Sequence, residues 1–178
     1  MIDVRVLPAD GINLIAEIDR SEHVDTVFEA HVGELRSRSA DIAVPRWALE
    51  GSGPHSVGGF VDDLEPILKR GATLLGAFDQ EQVAGVAIVE ERFEGDMAWL
   101  VFLHVSKPYR RQGVASDLWN AAVDRARSAG SQSIYVAATP SASAVGFYRD
   151  RGCEVVRVPH PALYAKEPDD IHLVATFD

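Results

Sequence analysis

The sequence predicts an α/β fold in which a mixed, mostly antiparallel sheet is flanked by helices. Three observations carry that prediction. Between Thr73 and Val105, three apolar, β-branched runs are separated by two short polar turns, the signature of an antiparallel meander. From Val114 to Ala129 the apolar residues recur at helical spacing. A further apolar run, Ile134 to Ala138, follows that helix, and a strand reached through a helix lies parallel to the strand before it.

The elements follow in chain order. Ile2, Val4 and Val6 alternate with polar residues and predict a first strand, which Pro8-Ala9-Asp10-Gly11 breaks. Asn13 to Ile18 reads as a short helix. Val24 to Leu35 reads as a hairpin with Gly33 at or near its turn. Glu50 to Gly59 is glycine-rich and reads as a mobile loop; its glycines lack the preceding strand and the spacing of a dinucleotide fingerprint. Phe60 to Lys69 predicts a helix with Phe60, Leu64, Ile67 and Leu68 on one face and Gly71 near its end. Thr73 to Phe78, Val83 to Val89 and Trp99 to Val105 are the three meander strands, turned at Asp79 to Gln82 and at Glu94-Gly95-Asp96. The main helix carries Ala115, Leu118, Ala122, Ala126 and Ala129 as its apolar stripe, and Gly130 stops it. Pro140-Ser141 opens another helix, with Ser141 placed to cap it and Gly152 to close it. Cys153 to Val158 and Ile171 to Phe177 are predicted strands, with a proline-marked loop from Pro159 to Asp170 between them.

Composition bounds the function. The 178 residues suit one domain, and 47% hydrophobic content supports a sizeable core. A net charge of -10 argues against sequence-independent nucleic-acid binding and against docking on an anionic membrane. It is compatible with a cationic small substrate. With one cysteine, Cys153, no intramolecular disulfide can form, and Cys153 reads as a small buried hydrophobe. The start of the chain lacks a secretory signal pattern and no run approaches a membrane span, so a cytoplasmic protein is expected. The histidines show no metal-ligand spacing, so no metal is expected. No Gly-x-Ser-x-Gly elbow is present.

The most informative stretch joins the third meander strand to the main helix: Leu103-His104-Val105, then Tyr109-Arg110-Arg111-Gln112-Gly113-Val114-Ala115-Ser116. A strand, a basic glycine-containing turn and a helix make an anion site from backbone alone. The first N–H groups of a helix have no internal acceptor, and the helix dipole places partial positive charge there. Gly113 lets a phosphate oxygen approach closely, and Arg110 and Arg111 offer fork-shaped donors.

Leu103-x-Val105 followed by Tyr109-Arg110-x-x-Gly113-x-Ala115 resembles the acyl-CoA-binding motif of the GNAT superfamily of N-acetyltransferases, whose pattern is Arg or Gln, two residues, Gly, one residue, then Gly or Ala. Ser141-x-x-Ala144-x-x-Phe147-Tyr148, followed by Gly152, resembles the family's second signature. The resemblance implies a GNAT-like sheet with a splayed parallel strand pair that opens an acyl-CoA wedge. It implies one domain over residues 1–178, with 73–156 as the acyl-CoA-binding core and 1–70 as the variable acceptor-side part. It further implies acetyl-CoA as co-substrate, an amine as acceptor and direct transfer in a ternary complex, with oligomeric state, a homodimer included, left open. Cofactor contacts are expected from Leu103, His104, Val105, Arg110, Arg111, Gln112, Gly113, Val114, Ala115, Ser116, Ser141 and Phe147.

Tyr148 stands where the family carries a tyrosine that protonates or stabilises the leaving thiolate. A phenol, of pKa about 10, is protonated at neutral pH and can donate to sulfur. The acceptor needs a base, because an amine of pKa about 10.4 is neutral in only about one molecule in a few thousand at pH 7. Many family members place a glutamate in the first half of the central strand. Here that segment is Met97-Ala98-Trp99-Leu100, with no carboxylate. Glu90 and Glu91, at the end of the preceding strand, are the nearest by topology and could act through a water, with rim charges as the alternative. His104 has the ordinary pKa for a base, yet it points to the sheet face opposite Leu103 and Val105. Asp19, Glu22 and Glu29 are further carboxylates that could read a cation or simply be solvated. A non-catalytic acyl-CoA-binding module and a nucleotide-binding domain are the competing functions.

Overall fold

The computed structural model describes residues 1–177. In chain order its elements are strand β1 (Ile2–Leu7), a 3-10 helix (Ala9–Glu17), strands β2 (Glu22–His31) and β3 (Glu34–Val44), helix α1 (Val57–Lys69), and strands β4 (Thr73–Asp79), β5 (Gln82–Glu94) and β6 (Met97–Val105). A short 3-10 turn (Lys107–Tyr109) leads to helix α2 (Val114–Ser128), strand β7 (Ser133–Ala138), helix α3 (Ala142–Arg149), strand β8 (Glu154–Val155), helix α4 (Pro161–Lys166) and strand β9 (Ile171–Thr176).

Among the described residues the strands form one seven-stranded sheet, in the order β1-β4-β5-β6-β7-β9-β8, and a separate β2–β3 ribbon. Within the large sheet only β6 and β7 run parallel. This is the predicted mixed, mostly antiparallel sheet. It is buried on both faces. Leu118, Trp119, Ala122 and Ala126 of α2, with Val145 and Tyr148 of α3, cover one face. Leu64, Ile67 and Leu68 of α1, with Ile12 and Ile15 of the first 3-10 helix, cover the other. Leu118 has no exposed surface. Leu118→Ala is therefore expected to cost about 2–5 kcal/mol in urea unfolding, through lost burial and the cavity left behind.

Strand β6 departs from regular pairing on both of its edges. On the β5 side, Ile88 pairs with Phe102 and Val89 with Leu100, so Val101 is an extra residue in β6. This bulge turns both Val101 and Phe102 toward the α1 face. On the other side, the parallel pairing of β6 with β7 runs only from Met97–Ser133 to Leu100–Val136. Beyond Leu100 the two strands no longer pair, so the sheet gapes between Val101–Val105 and the end of β7.

Several boundaries differ from expectation, each for a physical reason. The first short helix begins at Ala9 and is 3-10 rather than α, because Gly11 closes onto Pro8 O at 2.9 Å directly after the proline. The hairpin turns at Val32-Gly33, both at positive φ (50° and 82°), and its second strand runs on to Val44. Helix α1 starts three residues earlier than expected because Ser56 caps it, accepting from Gly59 N–H at 3.1 Å. Ser56 also donates to the Gly53 carbonyl at 2.7 Å, which folds the glycine-rich loop back on itself. The strand expected over Cys153–Val158 is only two residues long. Val156 still donates to His172 O at 3.0 Å, but Val158 turns into solvent at 84% exposure, and Pro159 has no N–H to continue the ladder. The loop expected from Pro159 to Asp170 contains α4, with Pro161 at its first position, where a missing N–H costs nothing. Among the described residues no helix is long and apolar enough to cross a membrane.

Candidate active site

The corner between β6 and α2 is built as an anion site. Arg111 and Gly113 adopt positive φ, 63° and 90°, and bend the chain into the helix. Among the described residues no side chain caps α2, and none comes within 4 Å of where a Cβ on Gly113 would stand. The first amide with a helical acceptor is Asp117 N–H, bonded to Gly113 O at 3.0 Å. The N–H groups of Val114, Ala115 and Ser116 are thus left without an intrahelical acceptor at the positive end of a 15-residue helix.

The cationic side chains divide their work differently from the simplest reading of the sequence. Arg110 turns inward: its Nε donates to Val105 O at 3.2 Å and its Nη1 to Ser21 O at 3.0 Å. A longer contact of 3.4 Å reaches Asp19 O. Its donors brace the turn against the N-terminal segment. Gln112 donates to Pro108 O at 2.7 Å and also shapes the turn. Arg111 is exposed beside the free amides. A second cation joins the corner from the turn after α3: Arg151 donates to Ser116 Oγ at 2.5 Å and lies 3.5 Å above the Phe147 ring. No sequence signal marks Arg151 as a site residue, because it reaches α2 only through the packing of α3.

Next to this corner is an unpaired strand edge. Ser106 N–H donates to Ala84 O at 2.9 Å, toward β5. Strand alternation then points the N–H groups of Leu103 and Val105, and the Leu103 carbonyl, into the gap on the β7 side. An extended amide chain can pair there as an added strand. Leu103 and Val105 side chains pack under α2, while His104 faces the other way, its ring 4.7 Å from Phe102 and 5.3 Å from Trp47. Desolvation, with Arg20 and Arg110 nearby, lowers the His104 pKa to about 4, so the imidazole is neutral and a weak base.

Tyr148 is buried against Trp119 and Phe147, at ring separations of 5.7 and 5.1 Å. Burial pushes its phenol well above the ordinary range, with Cys153 adding to the effect. Ser141 caps α3, accepting from Ala144 N–H at 3.3 Å, and also bonds Ser143 at 3.0 Å.

The expected carboxylates lie in ion pairs or hydrogen bonds. Glu91 points to the α2 face, where Oε1 accepts from Thr73 Oγ1 at 2.7 Å and from Arg125 Nε at 2.6 Å. Glu90 points to the other face and meets Arg70 at 3.3 Å. Asp19 accepts from Ser21 N–H at 3.0 Å and from Arg46 at 2.8 Å, which hold its carboxyl below the usual range. Glu22 accepts from Ser143 at 2.6 Å, and Glu29 pairs with Arg38 within the β2–β3 ribbon at 2.9 Å. Glu91→Gln is expected to lower stability by about 1–3 kcal/mol, since it leaves the Arg125 guanidinium half-buried beside a neutral partner. Its kcat should stay near wild type; a loss of rate without a loss of stability would put Glu91 back among the bases.

Among the described residues no group of three or more His, Cys, Asp and Glu side chains is arranged to hold a metal ion. One cleft, of about 280 Å³, opens between β2, α4 and the start of β9, with Asp170 in its wall. The sequence marks Asp170 only as part of a loop, since nothing local distinguishes it from Asp169.

Residues 43–153 match the model of the acetyltransferase (GNAT) family. No curated protein matches the sequence. Among solved structures, the chain is similar to nourseothricin acetyltransferase at 19% identity and a TM-score of 0.71, covering 99% of this chain and 97% of that one. It is similar to a protein from Bacillus anthracis str. Ames assigned as a streptothricin acetyltransferase and solved with acetyl coenzyme A (16% identity, TM-score 0.66, coverage 100% and 98%). It is also similar to the PaiA N-acetyltransferase of Thermoplasma acidophilum, solved with coenzyme A (13% identity, TM-score 0.64, coverage 99% and 99%).

Proposed function

Because this chain belongs to the acetyltransferase (GNAT) family, we propose that it transfers the acetyl group of acetyl-CoA to a primary amine of a small molecule or protein. Transfer is direct, within a ternary complex and with no covalent enzyme intermediate. The observation that carries the reading is the pairing of an open anion corner with an unpaired strand edge: three free amides at Val114, Ala115 and Ser116, and a sheet that gapes after Leu100. The amides, with Arg111 and Arg151, would hold the diphosphate. The Leu103 and Val105 backbone would pair with the pantetheine amides. Tyr148 would give its proton to the departing sulfur. Residues 73–156 then serve the acyl-CoA and residues 1–70 the acceptor side. A cytoplasmic setting belongs to the same proposal and suits the single buried cysteine.

The two features together suit a long anionic ligand that carries an amide-bearing arm. A free nucleotide would use the helix corner and leave the strand edge unused. That the neighbours named for nourseothricin and streptothricin are acetyltransferases by name supports acetyl as the transferred group. One observation favours a binding module instead: the first half of β6 carries no carboxylate. Two measurements decide. Calorimetry should show acetyl-CoA binding at one site per chain, and acetyl-CoA with an amine panel should release free CoA thiol. A protein that binds no acetyl-CoA would sink both readings; binding without thiol release on any amine would leave the module.

A further inference from the structure

The cleft of about 280 Å³ lies just below the usual range for drug-sized ligand sites, as suits a small acceptor, and its walls come from three separate segments: Glu29 on β2, Tyr164 on α4, and Asp169, Asp170 and His172 where the chain enters β9. Among the described residues no lysine or arginine lines it. Its position is set by the sheet. Ile171, next to Asp170, pairs with Ala138, the last residue of β7, two residues beyond the point where β7 leaves β6. Phe28 of β2 donates to Pro140 O at 2.8 Å, so the β2 wall leans on the start of α3, the helix that carries Tyr148. The acidic cleft and the gaping strand edge therefore share the end of β7.

Asp170 stands apart from the carboxylates around the site. Its N–H is bonded to Glu167 O at 3.3 Å, yet its carboxyl has no hydrogen bond and no ion pair among the described residues. Asp170 is partly buried in the cleft wall, and a carboxylate taken partly out of water without a cation or donor beside it costs stability. Asp19, Glu22, Glu29, Glu90 and Glu91 each have a cation or a donor.

We infer that this cleft receives the acceptor, that the acceptor is a small linear amine carrying a second positive charge, and that the Asp170 carboxylate takes the proton from the reacting nitrogen. This rests on the acetyl-transfer reading and names its acceptor and base. The reacting ammonium gives one proton to Asp170, which passes it to water. The freed lone pair attacks the thioester carbon, the C–N bond forms and the C–S bond breaks. The electron pair leaves on sulfur, which takes the Tyr148 proton. The nitrogen's second proton, acidic once the amide forms, returns through Asp170 to the phenolate. The products are an amide, a free thiol and one proton. Asp169, which also lines the cleft, holds the distal cation, and the Tyr164 ring lies along the chain.

Burial, with Glu167 and Asp169 close by, raises the Asp170 pKa to about 7, which suits a base near neutral pH. Titratable groups sharing its surroundings are Glu29, Glu167, Asp169, Tyr164, Tyr148 and His172. Burial raises Glu167 and lowers His172, whose ring is bonded to Tyr135 at 2.8 Å and to Glu167 O at 2.9 Å. A carboxylate base is active when ionised, so kcat/KM should fall as pH drops through about 7.

The test uses three four-carbon amines: 1,4-diaminobutane, n-butylamine and 4-aminobutanoate. The expected order of kcat/KM is diamine first and 4-aminobutanoate last, each step about tenfold or more. Asp170→Asn should lower kcat about 100-fold or more and remove the acidic limb, with acetyl-CoA affinity unchanged by calorimetry. Asp169→Asn, at an exposed position in the cleft wall, should raise KM for the diamine and leave kcat above the acidic limb alone. Equal rates on all three amines, transfer to none of them by a protein that binds acetyl-CoA, or an Asp170→Asn enzyme with the wild-type rate and limb would each overturn the inference. Failure of the acetyl-transfer reading shows separately, as loss of acetyl-CoA binding in the wild-type protein.

Discussion

Gly113→Glu is expected to abolish measurable acetyl-CoA binding while leaving the protein folded. The reason is not steric. Nothing lies within 4 Å of the position a Cβ would take, so the side chain has room. The backbone there is at φ 90°, which costs a non-glycine residue about 1–2 kcal/mol. The same substitution puts a carboxylate at the start of α2, where the free amides of Val114, Ala115 and Ser116 stabilise negative charge. The two effects oppose each other, and the unfolding free energy should change by less than about 2 kcal/mol. Binding has no such compensation. The new carboxylate occupies the amides meant for the diphosphate and repels it, by about 4 kcal/mol per charge pair at 4 Å in a protein-surface dielectric. That corresponds to roughly three decades of affinity. Gly113→Ala separates the contributions: it carries the backbone cost alone and should keep binding within about tenfold. Micromolar affinity retained by Gly113→Glu, with folding confirmed by circular dichroism, would remove the diphosphate from this corner.

How much of this was legible in the sequence depends on whether the deciding interaction is local. The meander from Thr73 to Val105, the helix after Gly113 and the parallel return at Ile134 are fixed by periodicity and turn chemistry within a few residues, and the structure contains all three. Gly33 marked the hairpin turn for the same reason. The far half of that hairpin did not show, because Ser37-Arg38-Ser39-Ala40-Asp41 is polar and mostly solvated, so no period-two pattern exists to be read. Helix α4 was hidden by its length and by Pro161, which reads as a breaker unless its place at the first helical position is known. In the site, the motif located the corner but not the duties of its side chains. Arg110 is engaged by carbonyls at Ser21 and Asp19, about ninety residues away in the chain. Glu91 is engaged by Arg125 across the sheet–helix interface. Asp170 acquires its character from burial and from being left without a partner. Residue type and spacing encode none of these three facts.

Tyr148→Phe should lower kcat by about 100-fold and change little else. The leaving sulfur has an ordinary thiol pKa of about 8.5, below that of a phenol. Tyr148 therefore first stabilises the departing thiolate by hydrogen bonding, and net transfer of its proton is drawn on by the nitrogen's second proton, which restores the phenol. Burial and the nearby Cys153 hold the Tyr148 phenol above its ordinary value. Its proton is therefore present throughout the pH range in which the enzyme can be assayed, and an alkaline limb between about pH 7 and 9 cannot come from this group. The substitution is also structurally mild. The phenol makes no hydrogen bond among the described residues, while its ring packs on Trp119 and Phe147, contacts that phenylalanine keeps. Stability should stay within about 0.5 kcal/mol and acetyl-CoA affinity within a few-fold. A donor that acts only as the C–S bond breaks affects kcat and not KM. Loss of a positioned acid costs about 10²–10⁴-fold, and the lower end applies here because water in the gap can protonate sulfur in its place. A leaving group with a lower pKa needs the proton less, so an activated thioester analogue should narrow the difference between Tyr148→Phe and wild type. If kcat is equal in the two proteins on acetyl-CoA itself, Tyr148 is a packing residue and the sulfur is protonated by solvent.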